Sequence, residues 1–217
     1  MKEIVYFLCN GICHQLPDRS LKIGHSYLPL CARCTGIYIG VFVSFIYLLL
    51  RKRWHGNRPP SYKVLCVLLL SYLPLLWDGA TSYLGFRSTH NLIRLITGVL
   101  LGSTLPIFIL LIKNYDIRKN NEKILVRNII EYIHILVVGI IFAFTIYFKC
   151  FFSWHFLAFL LTCSIYILYV QLFIGILQQI FYNSKNKKIY FHITAYIMAL
   201  GWMNALAFLQ SWLSQWY

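Results

Sequence analysis

The sequence predicts an all-α integral membrane protein, a bundle of about six transmembrane helices in a single membrane domain. Three observations carry that prediction. Of 217 residues, 59% are hydrophobic and only 12% charged, against about 25% charged in an average soluble domain, and mean hydropathy is +0.66. The apolar residues fall into six long runs, and a spanning helix needs roughly 20 mostly apolar residues. Most Lys and Arg residues lie in the short connections between the runs, which is where membrane proteins carry positive charge.

The elements follow in order. Ile4–Cys9 is apolar but shorter than the ~7–15-residue core of a cleavable signal, and no small-residue cleavage site follows it. The N-terminus is therefore expected to be retained as a short interfacial helix. The first span runs from about Cys31 to Leu50. The second covers Val64–Trp77, starting as early as Tyr62, and carries Pro74, which predicts a kink. The third covers Leu92–Ile112, the fourth Ile129–Phe148, the fifth His155–Phe181 and the sixth Ile189–Leu213. Barrel strands are not expected, because barrel strands alternate in polarity and these runs do not. Residues 1–112 form a motif-bearing half with three spans, and residues 113–217 supply three more. No linker or internal repeat separates them.

Charge sets the expected orientation. The connection Arg51–Lys63 holds Arg51, Lys52, Arg53, Arg58 and Lys63. The connection Lys113–Arg127 holds Lys113, Arg118, Lys119, Lys123 and Arg127. A third connection holds Lys185, Lys187 and Lys188. Thirteen of the 20 basic residues thus fall on one side, and Lys2, Arg19, Lys22, Arg33, Arg87, Arg94 and Lys149 fall on the other. Cytoplasmic loops carry the excess. Both termini, the first thirty residues and the connections Asp78–Asn91 and Lys149–Trp154 are accordingly expected on the extracytoplasmic face of a cell membrane. Trp202, Trp212, Trp216 and Tyr217 suit an aromatic belt. The formal charge of +14 does not point to nucleic acid, since it is dispersed over loops and no nucleic-acid motif accompanies it. The lipid bilayer is the expected partner.

Two groups of residues carry chemistry. The first is Cys13-His14 and, sixteen residues later, Cys31-Ala32-Arg33-Cys34. A Cys-x-x-Cys pair with a further Cys or His about twenty residues away fits a zinc site, and zinc is the expected cofactor, with another transition metal or none as the alternatives and Cys13, His14, Cys31 and Cys34 as candidate ligands. Adjacent residues point in different directions, so Cys13 and His14 reach one ion only from an irregular turn. The same pair also fits a redox dithiol, a disulfide on an oxidising face of the membrane, or unligated thiols. Cys9 could join the group. Cys66, Cys150 and Cys163 lie in or beside apolar runs and read as small buried hydrophobes.

The second group is Asp78 to Arg94, at the outer ends of the second and third spans. Asp78 is the only acidic residue between Asp18 and Asp116. A carboxylate beside a membrane needs a partner, and Arg94 is the expected one, with Arg87 the other near candidate. Asp78, His90 and Asn91 are candidates to line a polar pocket. Ser88 or Thr89 is expected to cap the third helix. Gly36/Gly40 and Gly98/Gly102 are Gly-x-x-x-Gly pairs and predict close packing of the first and third spans. His134, His155 and His192 are lone, and are expected to be interfacial or packed.

These residues resemble an uncharacterised family of small bacterial and archaeal multi-pass membrane proteins, classed as a domain of unknown function. The resemblance lies in Cys13-His14-Gln15-x-Pro17-x-Arg19-Ser20, Gly24 and Pro29-Leu30-Cys31-Ala32-Arg33-Cys34-Thr35-Gly36-Ile37-Tyr38-Ile39-Gly40, then in Asp78-Gly79, Gly85, Arg87, Asn91, Arg94 and Thr97-Gly98. It covers about a fifth of the chain. Ser82, Ser88 and His90 stand where the family pattern has Gln, Glu and Thr. The resemblance makes the two groups one unit and implies no particular activity.

Several functions compete. A metal-dependent membrane enzyme would use zinc to activate water or polarise a substrate, His14 or Asp78 to move a proton, and Arg19, Arg33, Arg87, Asn91 and Arg94 to hold an anionic, lipid or lipid-linked substrate. A thiol–disulfide oxidoreductase would use Cys31 and Cys34, with Cys13 as resolving partner. A transporter, or a non-catalytic protein with a structural zinc clasp, are the further alternatives. Against transport stands the lack of an inverted repeat.

Overall fold

The computed structural model describes residues 2–118, 120–149, 151–181 and 188–213. Cys150, Lys119, Lys185, Lys187, Trp216 and Tyr217, all singled out above, lie outside the described residues.

Six helical spans are long and apolar enough to cross a membrane. Helix α1 (Lys2–Asn10) precedes a hairpin of β1 (Ser20–Ile23) and β2 (Ser26–Cys31). The spans are then α2 (Ala32–Leu50), α3 (Tyr62–Leu70) with α4 (Leu73–Tyr83), α5 (Asn91–Gly102) with α6 (Leu105–Asn114), α7 (Ile129–Tyr147), α8 (Trp154–Ile180) and α9 (Lys188–Leu213). The expected bundle is what the chain forms, with boundaries within about three residues of those expected except for the second span, which runs on from Trp77 to Tyr83.

Helix α2 is the hub, packing on α5, α6, α7 and α8, and most extensively on α5. The four glycines explain why. A Cβ on Gly36 would run into the Leu95 carbonyl, one on Gly98 into the Arg33 carbonyl and one on Gly102 into the Ile37 carbonyl. On Gly40 it would lie 2.7 Å from the Val99 carbonyl oxygen. Small residues let the two backbones meet, and in a membrane dispersion between close backbones is a main source of helix association.

Two spans are broken. The second breaks at Ser71-Tyr72, just before the expected Pro74, and the third breaks at Ser103-Thr104, before Pro106, a break not expected from the apolar run. A proline has no N–H to donate to the carbonyl four residues back. For Pro74 and Pro106 those carbonyls belong to Leu70 and Gly102, where α3 and α5 end. Beside the breaks, hydroxyls bond one another and the backbone within the protein, as polar groups inside a membrane must. Tyr132 on α7 donates to Ser71 Oγ at 2.8 Å and lies 3.1 Å from Ser103 Oγ. Ser44 on α2 donates to the Ser103 carbonyl at 2.7 Å.

The hairpin was also not expected. Ser20 pairs with Cys31, Lys22 with Tyr27 and Ile23 with Ser26. Gly24, at φ 58°, takes the first position of the two-residue turn, where such hairpins use glycine. Leu21 and Ile23 are buried and Lys22 is exposed. The alternation was present in the sequence but is only four residues long. The hairpin docks on α8, where buried Trp154 donates to the Tyr27 carbonyl at 2.7 Å, and on α1 through Tyr6 and the same carbonyl. Chain direction puts the hairpin, the 84–90 connection and the start of α8 at one end of the bundle. The Arg51–Arg58 and 115–128 connections lie at the other, joined by a bridge from Arg58 to Ile124.

Two smaller expectations change. Cys66 is exposed on α3 rather than buried, because α3 and α4 form a rim span with little of their surface covered. Helix α5 is entered from His90, whose side chain makes no capping bond, so neither Ser88 nor Thr89 caps it. His134 and His155 are exposed and His192 half-buried, and none joins a ligand group.

Candidate functional site

The cysteines come together through three local devices. After α1 the chain turns, with the N–H groups of Ile12 and Cys13 both donating to the Cys9 carbonyl at 3.1 Å. Gln15, at φ 52°, reverses the chain, and its side chain donates to the Tyr6 carbonyl at 2.7 Å. This turns Cys13 inward and leaves His14 exposed. Strand β2 then delivers Cys31 as the residue before the first turn of α2, and its N–H donates to Cys13 Sγ at 3.2 Å. Cys34 follows three residues on, and the i, i+3 spacing at a helix start puts both thiols on one face.

The outcome is a triad: the sulfurs of Cys13, Cys31 and Cys34 lie within 4.8 Å of one another. Cys13 is buried, and Cys31 and Cys34 are half-buried. His14, the fourth residue of the expected ligand set, stands outside the triad. Cys9 also stays apart, 3.9 Å from Thr162 Oγ1, with its thiol pushed up to about 12 by burial. Within the triad, hydrogen bonds from the Cys13 and Cys34 thiols, then from the N–H groups of Cys34 and Arg33, hold the Cys31 thiol well below the usual thiol range. Its partner Cys13 is raised, chiefly by the bond it gives to Cys31. The group thus concentrates negative charge on Cys31, at the start of α2, where the helix dipole favours it.

Beside the triad lies the second group. Asp78 on α4, 1% exposed, is paired with Arg33 of α2 and with Arg87, whose Nη2 lies 3.3 Å from Oδ1. Arg87 also donates to Thr81 Oγ1 at 3.2 Å. The expected Asp78–Arg94 pair does not form. The close α2–α5 contact places the first turn of α2 next to α5, and Arg33 takes the carboxylate instead. Arg94, 8% exposed, donates to Asn91 Oδ1 at 3.4 Å and to Ser82 Oγ at 3.5 Å. Asn91 in turn donates to the Asp18 carbonyl at 3.4 Å, which ties α5 to the turn that carries Arg19. The guanidinium groups of Arg19 and Arg33 lie 5.8 and 6.0 Å from the centre of the Tyr83 ring. His90 is exposed and takes no part.

Two participants were not singled out as site residues. Ser82, one of the departures from the family pattern, is a partner of Arg94. Tyr83 supplies the ring beside two arginines. In sequence, both looked like ordinary residues of an amphipathic stretch.

Fold and site together define a multi-pass membrane protein with a cysteine triad and an arginine cluster at one end of the bundle. Residues 13–108 match the family model described as predicted membrane protein (DUF2085). An uncharacterized protein of Methanothermobacter thermautotrophicus is 36% identical over 105 residues, which is 48% of this chain and 88% of that protein. An uncharacterized protein of Methanocaldococcus jannaschii is 37% identical over 106 residues, 49% of this chain and 66% of that protein. The chain belongs to this DUF2085 family of membrane proteins. No solved structure matches it. The family segment contains the whole triad and the whole arginine cluster, and it ends within α6, so α7 to α9 lie beyond it.

Proposed function

We propose that the chain is a membrane-embedded metal-dependent enzyme in which Cys13, Cys31 and Cys34 hold zinc at the extracytoplasmic face, and Arg19, Arg33 and Arg94 receive the anionic part of a lipid or lipid-linked substrate. The observation that carries this reading is the triad. Tetrahedral Zn–S bonds of ~2.3 Å place sulfurs about 3.8 Å apart, so thiols within 4.8 Å of one another need only small movements to share an ion. Three protein ligands leave a fourth position open, which is the arrangement of catalytic rather than structural zinc. The half-exposure of Cys31 and Cys34 provides access to it. Three thiolates around a divalent ion carry one net negative charge, and Arg33 on the same helical turn offsets it.

When bound, zinc would supply Lewis acidity toward water or substrate. The chain supplies the rest. His14, exposed next to Cys13, is the group free to exchange a proton with solvent. Asp78 is engaged by two guanidinium groups, so its part is to hold Arg33 and Arg87 in position rather than to act as base. A second reading, thiol–disulfide exchange with Cys31 as the attacking thiolate, is favoured by the hydrogen bonds that stabilise charge on its sulfur.

One measurement separates them: bound metal and titratable thiols on the same purified protein. The metal reading expects stoichiometric zinc, lost in Cys31→Ser/Cys34→Ser. Metal-free protein whose Cys31 and Cys34 cycle between disulfide and thiols would overturn it in favour of exchange. Orientation has its own test. With a membrane-impermeant thiol reagent, Ser88→Cys should label in intact cells and His55→Cys only after permeabilisation. The opposite pattern would reverse the topology.

A further inference from the structure

We infer that the arginine cluster beside the triad is a receptor for a phosphate monoester, the dianionic phosphoryl group carried by a lipid headgroup such as phosphatidic acid or by free phosphate. This deepens the proposed function by naming the substrate class, and rests on reading triad and arginines as one centre.

Charge is the first argument. Arg19, Arg33, Arg87 and Arg94 gather at this end, and among the described residues their ion pairs all go to Asp78, which binds Arg33 and Arg87. Arg94 is nearly fully buried and its hydrogen-bond partners are neutral. Arg19 and Arg33 act on it electrostatically more strongly than the opposing Asp78 does. Cations buried beside a membrane without a counter-charge are costly. Asp78 offsets one of the four charges, and the remaining surplus is what a ligand must meet.

The unused hydrogen-bond groups are the second argument. Arg33 Nε and Thr89 Oγ1 are buried without a partner, and they are the two such side-chain atoms among the described residues. Buried polar atoms are rarely left unpaired, and each one needs an explanation. Helix α5, entered from His90, has no side-chain cap, and the N–H groups before Arg94 in its first turn have no partner within the helix. All these groups can donate. A carboxylate offers two oxygens and one charge. A phosphoryl group offers three oxygens and up to two charges, which suits several guanidinium groups and a helix start at once.

The surroundings favour a lipid source. Tyr83, Leu84 and Phe86, beside the cluster in sequence, are all largely exposed, and exposed aromatic and apolar side chains at the end of a spanning helix suit the interfacial region of a bilayer.

The test uses the full-length purified protein. In detergent its thermal midpoint is followed against inorganic phosphate at constant ionic strength with chloride as control. In nanodiscs, phosphatidylcholine alone is compared with phosphatidylcholine plus phosphatidic acid, with phosphatidylglycerol as a monoanionic diester control. The inference expects a midpoint rise with phosphatidic acid that phosphatidylglycerol does not match. A rise with inorganic phosphate as well assigns recognition to the phosphoryl group alone, and a rise with phosphatidic acid only assigns it to the lipid. Arg94→Gln should weaken the effect by about tenfold or more. Arg19→Gln, at a half-buried turn position, should do the same and guards against misfolding of the first variant. No rise with either ligand, or equal rises in both variants and the parent, would overturn the inference. Zinc content measured on the same samples separates this from the metal reading: zinc-loaded protein indifferent to phosphate overturns only the receptor, and phosphate binding by zinc-free protein overturns only the metal.

Discussion

Gly102→Leu is expected to prevent the native bundle from forming. A Cβ at this position already overlaps the Ile37 carbonyl of α2, and the obstacle is backbone, which no rotamer change relieves. Overpacking against side chains costs about 1–3 kcal/mol and occasionally more. Here α2 and α5 would have to separate along the contact on which the rest of the bundle is built, so the cost exceeds that range. Size-exclusion and thermal unfolding in detergent check it. Gly201→Leu is the control, because a Cβ there meets nothing within 4 Å. A folded Gly102→Leu protein with an unchanged midpoint would show that the glycine contact does not hold the spans together.

Asp78→Ala should be nearly as severe. The carboxylate is 1% exposed and holds two guanidinium groups, one of them Arg33, itself largely buried. Removing one member of a buried ion pair leaves an uncompensated charge and costs about 3–5 kcal/mol. The double variant Asp78→Ala/Arg33→Met should recover part of that loss, because the orphaned charge is gone. If the single variant is as stable as the parent, Asp78 does not hold the cluster. If the double variant is no better than the single, the loss comes from packing and not charge.

The same two contacts show what was legible beforehand. The pairing of Gly36/Gly40 with Gly98/Gly102 was readable because it depends only on the four-residue period of a helix and on the absence of side chains. The partners of Asp78 were legible only in part. Arg87, one of the two candidates near it in sequence, does pair with it, but Arg33 takes the place expected of Arg94, and only the α2–α5 contact decides that. The triad was readable as a Cys-x-x-Cys pair with a distant Cys13. That only one of Cys13 and His14 would face the group was readable from their adjacency, but which of them does is decided by the reversed backbone at Gln15. The break before Pro106 was written in the sequence as plainly as that before Pro74, yet a long apolar run masked it. Its consequence, a hydroxyl network joining Ser71, Ser103 and Tyr132 across three spans, is tertiary.

Composition and periodicity alone determined that the chain is a six-span membrane bundle, roughly where its spans lie, and which residues are able to do chemistry. These properties are local, because burial in lipid rewards every apolar turn of helix independently of its neighbours. The tertiary structure decided which of the chemical residues meet: Cys13 with Cys31 and Cys34, Arg33 and Arg87 with Asp78, and Arg94 with Asn91 and Ser82. Those meetings depend on which helices approach closely and on how one short hairpin is docked. They are set by contacts between residues far apart in the chain, which no window of sequence contains.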